Sequence, residues 1–292
     1  MTTQSKPEII IVGGGRTGAA LAWYLIQNNI YPLSLVEKNS ARNDYLKKEF
    51  QWKFLQTDLS IENLKKSSLV ILAVPDDTVP ELSNHLITVP VEWKQKMVIH
   101  CSGAQPKSIL KALEDKGAIT ASFHPIYSFA INPRDNLFLK DAWIDIEADE
   151  VGQKILKKVF WFHKENFLIV NAGNKLKLHL ASVLFSNFLV AVSDFSLKIL
   201  QDVPSSQTEI FNIFQPLISS TLLQIENMGI NDAITGPASR GDLETISKHI
   251  ELLQKQDFEV LEIYRILTKK ILDLQKAPEN RQNMILDYLK SL

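Results

Sequence analysis

The chain has 292 residues, 45% of them hydrophobic and 22% charged, with 32 basic against 33 acidic side chains and a formal charge of -1. That size and composition exclude intrinsic disorder and fibrous architectures and fit one large domain or two moderate ones. The balanced charge advertises no nucleic-acid partner. Cys101 is the one cysteine, which excludes an intrachain disulfide and a multi-cysteine zinc site. Residues 1–7 lack the layout of a secretion signal. The longest uncharged stretch, 180–193, is shorter than the roughly 20 apolar residues of a membrane span, so a cytoplasmic protein without a membrane partner is expected.

In chain order, an apolar, β-branched run at 8–12 predicts a first strand, stopped by three glycines, and 17–28 carries apolar side chains at helical spacing. Strands are expected at 31–36, 53–55, 69–74, 97–100 and 118–123, with helices at 79–86 and 106–116. Continuous apolar strands alternating with helices predict a parallel sheet covered on both faces. Residues 143–146 and 167–170 read as two more strands flanking a helix from about 150 to 163. From Lys175 onward only helical periodicity is seen, with breaks near Val203-Pro204, Met228-Gly229, Gly236-Pro237 and Ala277-Pro278. The expected fold is α/β: a Rossmann-like dinucleotide-binding domain at 1–171 and an all-α domain at 172–292.

Gly13-Gly14-Gly15-Arg16-Thr17-Gly18 satisfies G-x-G-x-x-G between the first strand and the first helix, the context that gives the pattern meaning. Gly13 permits the tight turn, Gly15 lets backbone approach a pyrophosphate, and Gly18 lets helix and strand pack closely. The helix N-terminus then offers its amides to the phosphates, with Arg16 and Thr17 as further candidate contacts. Glu37 ends the second strand, where an acidic side chain bonds ribose hydroxyls and favours NAD. Lys38, Ser40 and Arg42 follow, however, and could receive a 2′-phosphate, so NAD and NADP both stay open.

Five further segments carry candidate chemistry. Val74 and Pro75 close the fourth strand at the sheet edge where ligands bind, with Asp76 or Asp77 as a helix cap. Ser102 and Gly103 end the fifth strand, where a small turn admits a nicotinamide ring; Cys101 beside them reads as structural. His124 follows the sixth strand at the same edge and suits proton transfer near neutrality. Lys175, His179, Ser182 or Val183, and Ser186 or Asn187 share one helix face, which either lines a cleft or forms an internal helix–helix hydrogen-bond network. In Gly236-Pro237-Ala238-Ser239-Arg240-Gly241-Asp242, Asp242 is a natural N-cap and Arg240 could clamp a carboxylate.

Taken together, the motifs at 13–18, 74–77, 100–104, 123–125, 179–187 and 236–242 resemble a family that joins a Rossmann-like domain to a helical domain of unknown function (number 2520). The wider group is similar to pyrroline-5-carboxylate reductase, ketopantoate reductase and the β-hydroxyacid dehydrogenases. The resemblance implies an NAD- or NADP-dependent oxidoreductase whose helical domain often dimerises. The β-hydroxyacid dehydrogenases carry Lys-x-x-x-Asn on the corresponding helix, whereas this chain has Lys175-x-x-x-His179, so that mechanism does not carry over. The expectation is a dehydrogenase or reductase acting on a small, carboxylate-bearing keto, hydroxy or imino compound. His124 or His179 would handle the proton, Asn187 would orient the substrate, and Lys175 and Arg240 would bind it. Alternatives are a non-catalytic dinucleotide sensor or scaffold and a deazaflavin-dependent NADP oxidoreductase.

Overall fold

In chain order the first elements are β1 (Ile9–Val12), α1 (Arg16–Gln27), β2 (Ser34–Val36), α2 (Ser40–Phe50), β3 (Leu55–Gln56), α3 (Ile61–Lys66), β4 (Leu69–Leu72), α4 (Thr78–Leu86) and β5 (Met97–His100). A 3₁₀ turn then leads into α5 (Lys111–Glu114), followed by β6 (Ile119–Ile126), β7 (Trp143–Glu147), α6 (Glu150–Val159) and β8 (Phe167–Ile169). The computed structural model describes residues 7–163, 165–274 and 278–290. The polar start of the chain before Pro7 and the first half of the expected Ala277-Pro278 break lie outside them.

The strands form one sheet in the order β3-β2-β1-β4-β5-β6-β7-β8. Its order reverses between β1 and β4, which opens a crevice at their carboxyl ends. Alternate residues feed opposite faces. Ile9 and Ile11 join Leu35, Ile71, Ile99, Phe123 and Ile146 in one core, while Ile10 and Val12 join Val36, Val70, Leu72 and Val98 in the other. Burial on both faces is what the uninterrupted apolar runs predict.

The all-parallel expectation fails at one pairing, beyond which both β7 and β8 run opposite to the first six strands. β7 runs antiparallel to β6, pairing His124 with Asp145 and Ile126 with Trp143. This pairing extends β6 beyond its parallel partner β5, whose register ends at His100 opposite Ser122. His124 therefore lies inside β6 rather than after it, two positions beyond the end of β5. Apolar runs encode burial but not strand direction, so the sequence pattern could not show this. Nor did it show α2, whose segment SARNDYLKKEF is mostly polar. Its start is marked instead by Asn39, whose side chain accepts from Arg42 N.

Beyond β8 come α7 (Ala172–Ser182), a π turn at Val183–Asn187, α8 (Phe188–Ile199), α9 (Gln207–Met228), α10 (Ile230–Ala233), α11 (Pro237–Arg240), α12 (Leu243–Gln256), α13 (Phe258–Leu274) and α14 (Glu279–Lys290). The chain divides into two compact units, residues 1–187 and 188–292. In this division α7 and the π turn go with the sheet. In the second unit Phe195 and Ile199 of α8 pack with Ile246, Ile250, Leu261, Leu272 and Ile285. Asp242 caps α12 as expected, accepting from Thr245 N.

Candidate functional site

The glycine loop shows in three dimensions why Gly13 and Gly18 are needed. Gly13 has φ +103°, its amide donates to Val36 O at 2.8 Å, and a Cβ there would strike the Ala73 carbonyl and crowd Val74. Gly18 lies against Gly13 O, so any side chain would push α1 off β1. Gly15 differs: its φ of -61° suits any residue, and a Cβ there would meet nothing within 4 Å. Open space beside a helix N-terminus whose N-cap offers no side-chain hydrogen bond, with no acidic residue in the first turn, leaves the amides available to an anion. The loop thus fits a dinucleotide diphosphate.

Around this loop the two arginines are already engaged. Arg42 donates from Nε to Gly14 O (2.9 Å) and from one terminal nitrogen to Gly15 O (3.4 Å) and Ile131 O (3.1 Å). Burial lowers its pKa below the usual guanidinium value. Arg16 reaches Phe129 O at 3.5 Å, and Lys38 is exposed. Glu37 stands over Gly14, and its Oε1 accepts from Asn39 N at 2.7 Å. Val74 and the exposed Pro75 follow β4 at the same edge. Asp77 occupies the N-cap position of α4, but its carboxylate accepts from the Thr78 hydroxyl rather than from backbone, so the expected side-chain cap is not formed.

At the end of β5, the Ser102 hydroxyl oxygen accepts from Ala104 N and Gln105 N and ties down the turn. His100 is buried between Ser102 N and Pro106 O. Burial, and then the charge of Lys175, lower its pKa to about 4, so it stays neutral near physiological pH. Burial raises the Cys101 thiol to about 12, which removes the thiolate needed for reactivity and supports its structural reading.

Four side chains converge next to this turn. His124 Nδ1 and Asp145 Oδ2 are 2.7 Å apart across the β6–β7 pair. Lys175 Nζ donates to Asp145 Oδ1, also at 2.7 Å, from the first turn of α7. Side-chain exposure is 16% for His124, 1% for Asp145 and 0% for Lys175, so His124 alone of the three opens toward solvent. His179, one turn after Lys175, packs edge-on to His124 with ring centroids 5.9 Å apart. A Cβ on Gly103 would lie 2.5 Å from His179 Nδ1 and 2.8 Å from His124 Nε2. Both imidazoles therefore lean over one glycine at the carboxyl edge of the sheet, and only glycine leaves room for them. His179 Nδ1 is buried with no hydrogen-bond partner among the described residues, an orphan that a ligand atom would satisfy.

The structure thus brings His124, His179, Gly103 and Lys175 together but changes the part Lys175 plays. Read from the sequence as a substrate contact, it is wholly buried, and its desolvated ammonium is held by Asp145. Asp145 is the residue the sequence reading missed. Its signal was a carboxylate inside the apolar strand Trp143-Ile144-Asp145-Ile146, which costs free energy unless a cation meets it. Asn187 ends the π turn and is exposed; the i→i+5 spacing of that turn breaks the α-helical row on which it was placed. Arg240 belongs to the second unit, where it ends α11 with its side chain exposed and its carbonyl accepting from Arg281.

Two family models match the chain: a Rossmann-like domain over residues 2–125 and a domain of unknown function, DUF2520, over 142–271. No curated protein matches in sequence. A solved Bacteroides fragilis protein, provisionally named an NADP oxidoreductase, is similar over 92% of this chain and 98% of its own, with TM-score 0.76 and 20% identity. A Thermotoga maritima protein covers 91% and 97% at TM-score 0.66 and 23% identity. An Aspergillus terreus reductive aminase in complex with NADPH and ethyl levulinate covers 97% and 99% at TM-score 0.66 and 16% identity. At these identities the likeness shows a shared fold.

Proposed function

We propose that this chain, which pairs a Rossmann-like domain with a domain of the 2520 type, is a nicotinamide-dependent oxidoreductase that moves hydride to or from a carbon bearing oxygen or nitrogen in a small molecule. The observation that carries the reading is the pair of imidazole nitrogens converging over Gly103, on the sheet edge that also presents the open glycine loop. When bound, a nicotinamide supplies or accepts the hydride. The chain's own part is to grip the diphosphate at Gly13, Gly15 and the first turn of α1, and to handle the accompanying proton at His124 or His179. The reductive aminase and imine reductases of the same fold support keeping imines among the compounds worth assaying.

Turnover assays over a panel of keto acids, ketones, imines and amines, with and without a carboxylate, test this directly. Oxidation or reduction of the nicotinamide on at least one of them is expected, and it should disappear in His124→Ala. Coenzyme binding with no turnover across the panel would mark a sensor instead, and activity only with added deazaflavin would mark the third alternative. Glu37 faces the glycine loop while Arg42 is engaged by backbone carbonyls, which supports NAD. NADP should bind at least about tenfold more weakly, about 1.4 kcal/mol, and Glu37→Ala should narrow the gap.

The partner proposed for the second unit is another copy of the chain. Phe188 and Leu189 of α8 and Phe211, Phe214 and Leu217 of α9 are exposed, and the two helices border an apolar groove of about 410 Å³. So much contiguous apolar surface is unusual on a stable monomer. Among the described residues one helix, Ala172–Ile199, is long and apolar enough by length and composition to cross a membrane. It exceeds the stretch read from the sequence because the helix runs on through Asp194 and Lys198, which pair with each other. Lys175 in its first turn is buried against Asp145, so that end of the helix packs on the sheet, while its apolar remainder is exposed, as a surface shared between two copies requires. Sedimentation equilibrium should give twice the monomer mass, and Phe214→Glu combined with Leu217→Glu should give the monomer; a wild-type monomer at micromolar concentration contradicts the proposal.

A further inference from the structure

We infer that Asp145 is a positioning residue that fixes His124 as the Nδ1–H tautomer, so that Nε2 of His124, rather than either nitrogen of His179, is the atom that exchanges a proton with the substrate. This deepens the reading above and rests on it for the chemistry, though not for the tautomer. Asp145 uses both oxygens, one on His124 Nδ1 and one on Lys175 Nζ, each at 2.7 Å. An ionised carboxylate only accepts, so a neutral His124 must place its proton on Nδ1 and leave Nε2 bare. That bare nitrogen is the one facing Gly103.

Lys175 sets the charge of the group. Its ammonium balances Asp145, so the buried trio carries no net charge while His124 is neutral and does not need an imidazolium to compensate the carboxylate. The remaining ionisable neighbours do not alter this balance: His179 packs edge-on to His124, and His100, which feels the charge of Lys175, is held neutral by burial. Among the described residues no carboxylate orients His179, and its buried Nδ1 is unpaired. It is suited to bonding a substrate heteroatom, not to relaying a proton.

In the oxidising direction Nε2 would take the substrate O–H or N–H proton as the C=O or C=N bond forms, and a bound nicotinamide would accept the hydrogen and electron pair of the C–H bond as hydride. The resulting imidazolium is held by Asp145 through Nδ1–H. In the reducing direction Nε2–H returns the proton. An Asp that orients an imidazole in this way can be worth orders of magnitude in rate.

The test is the imidazole ¹⁵N spectrum of the full chain at mildly alkaline pH, with His124 assigned by its loss in His124→Gln. The wild type should show a protonated Nδ1 and a bare Nε2. In Asp145→Asn, where Lys175 still holds the amide oxygen, the proton should move to Nε2, because the amide nitrogen then faces Nδ1 and donates to it; should that variant fold poorly, Asp145→Leu/Lys175→Met, which leaves Nδ1 no acceptor, should remove the preference for Nδ1–H. On any substrate that is turned over, the same change should lower kcat at least about a hundredfold with little change in KM or in coenzyme affinity. A wild-type Nε2–H tautomer, or a tautomer unchanged by the substitution, overturns the inference while leaving the oxidoreductase reading standing. Absence of turnover with the expected tautomer would instead count against that reading alone.

Discussion

Lys175→Met is expected to destabilise the protein by about 3–5 kcal/mol, the usual cost of leaving one member of a buried ion pair without its partner. Both side chains are sealed from water, so Asp145 would keep a desolvated charge with only His124 to answer it. Methionine matches the length of the lysine stem, which confines the loss to the charge. Asp145→Leu in the same background removes the orphaned carboxylate and should recover most of the stability, a non-additivity that distinguishes a broken pair from lost packing. Urea denaturation of the four proteins measures it. A single Lys175→Met variant within about 0.5 kcal/mol of wild type, the range typical of an ordinary surface site, would show that the pair is not buried in solution.

Gly15→Val should abolish coenzyme binding while leaving the fold intact. The residue has an ordinary negative φ and open space where the Cβ would stand, so the folded chain accepts the larger side chain. Exchanging Gly for Val at an N-cap costs about 1 kcal/mol. The same space is what the diphosphate must enter, and filling it should weaken affinity by at least about a hundredfold, some 3 kcal/mol. Gly13→Ala two positions earlier makes the contrast, because its φ of +103° and the Ala73 carbonyl leave no place for a methyl group. That variant should lose stability as well as binding. Calorimetry and thermal melts on the pair separate the roles; unchanged affinity in Gly15→Val would mean that no diphosphate lies against this loop.

Much of this architecture is legible in the sequence for identifiable reasons. The strands buried on both faces stand out as apolar β-branched runs such as Ile9–Val12 and Leu69–Leu72, and the roles of Gly13, Gly15 and Gly18 follow from their place between β1 and α1. His124 and His179 were readable as candidates because each departs from an apolar surrounding. What could not be read depends on pairing. The antiparallel turn of β7 sets His124 directly opposite Asp145, and α7 then brings Lys175 onto the same carboxylate. A buried triad of residues 124, 145 and 175 has no local spacing, so Lys175 looked like a residue facing a cleft and Asp145 like a strand residue of no consequence. The π turn had a similar effect on Asn187, since 3.6-residue periodicity presumes an α-helix throughout.

Isothermal titration of the wild-type protein with NAD⁺, NADH, NADP⁺ and NADPH tests the central claim most directly. Saturable one-to-one binding of at least one of them, lost in Gly15→Val and retained in Asp145→Leu/Lys175→Met, is the predicted result. No heat and no thermal shift with any of the four would contradict the account at its base, because the convergence of His124 and His179 over Gly103 has a redox meaning only beside a bound nicotinamide.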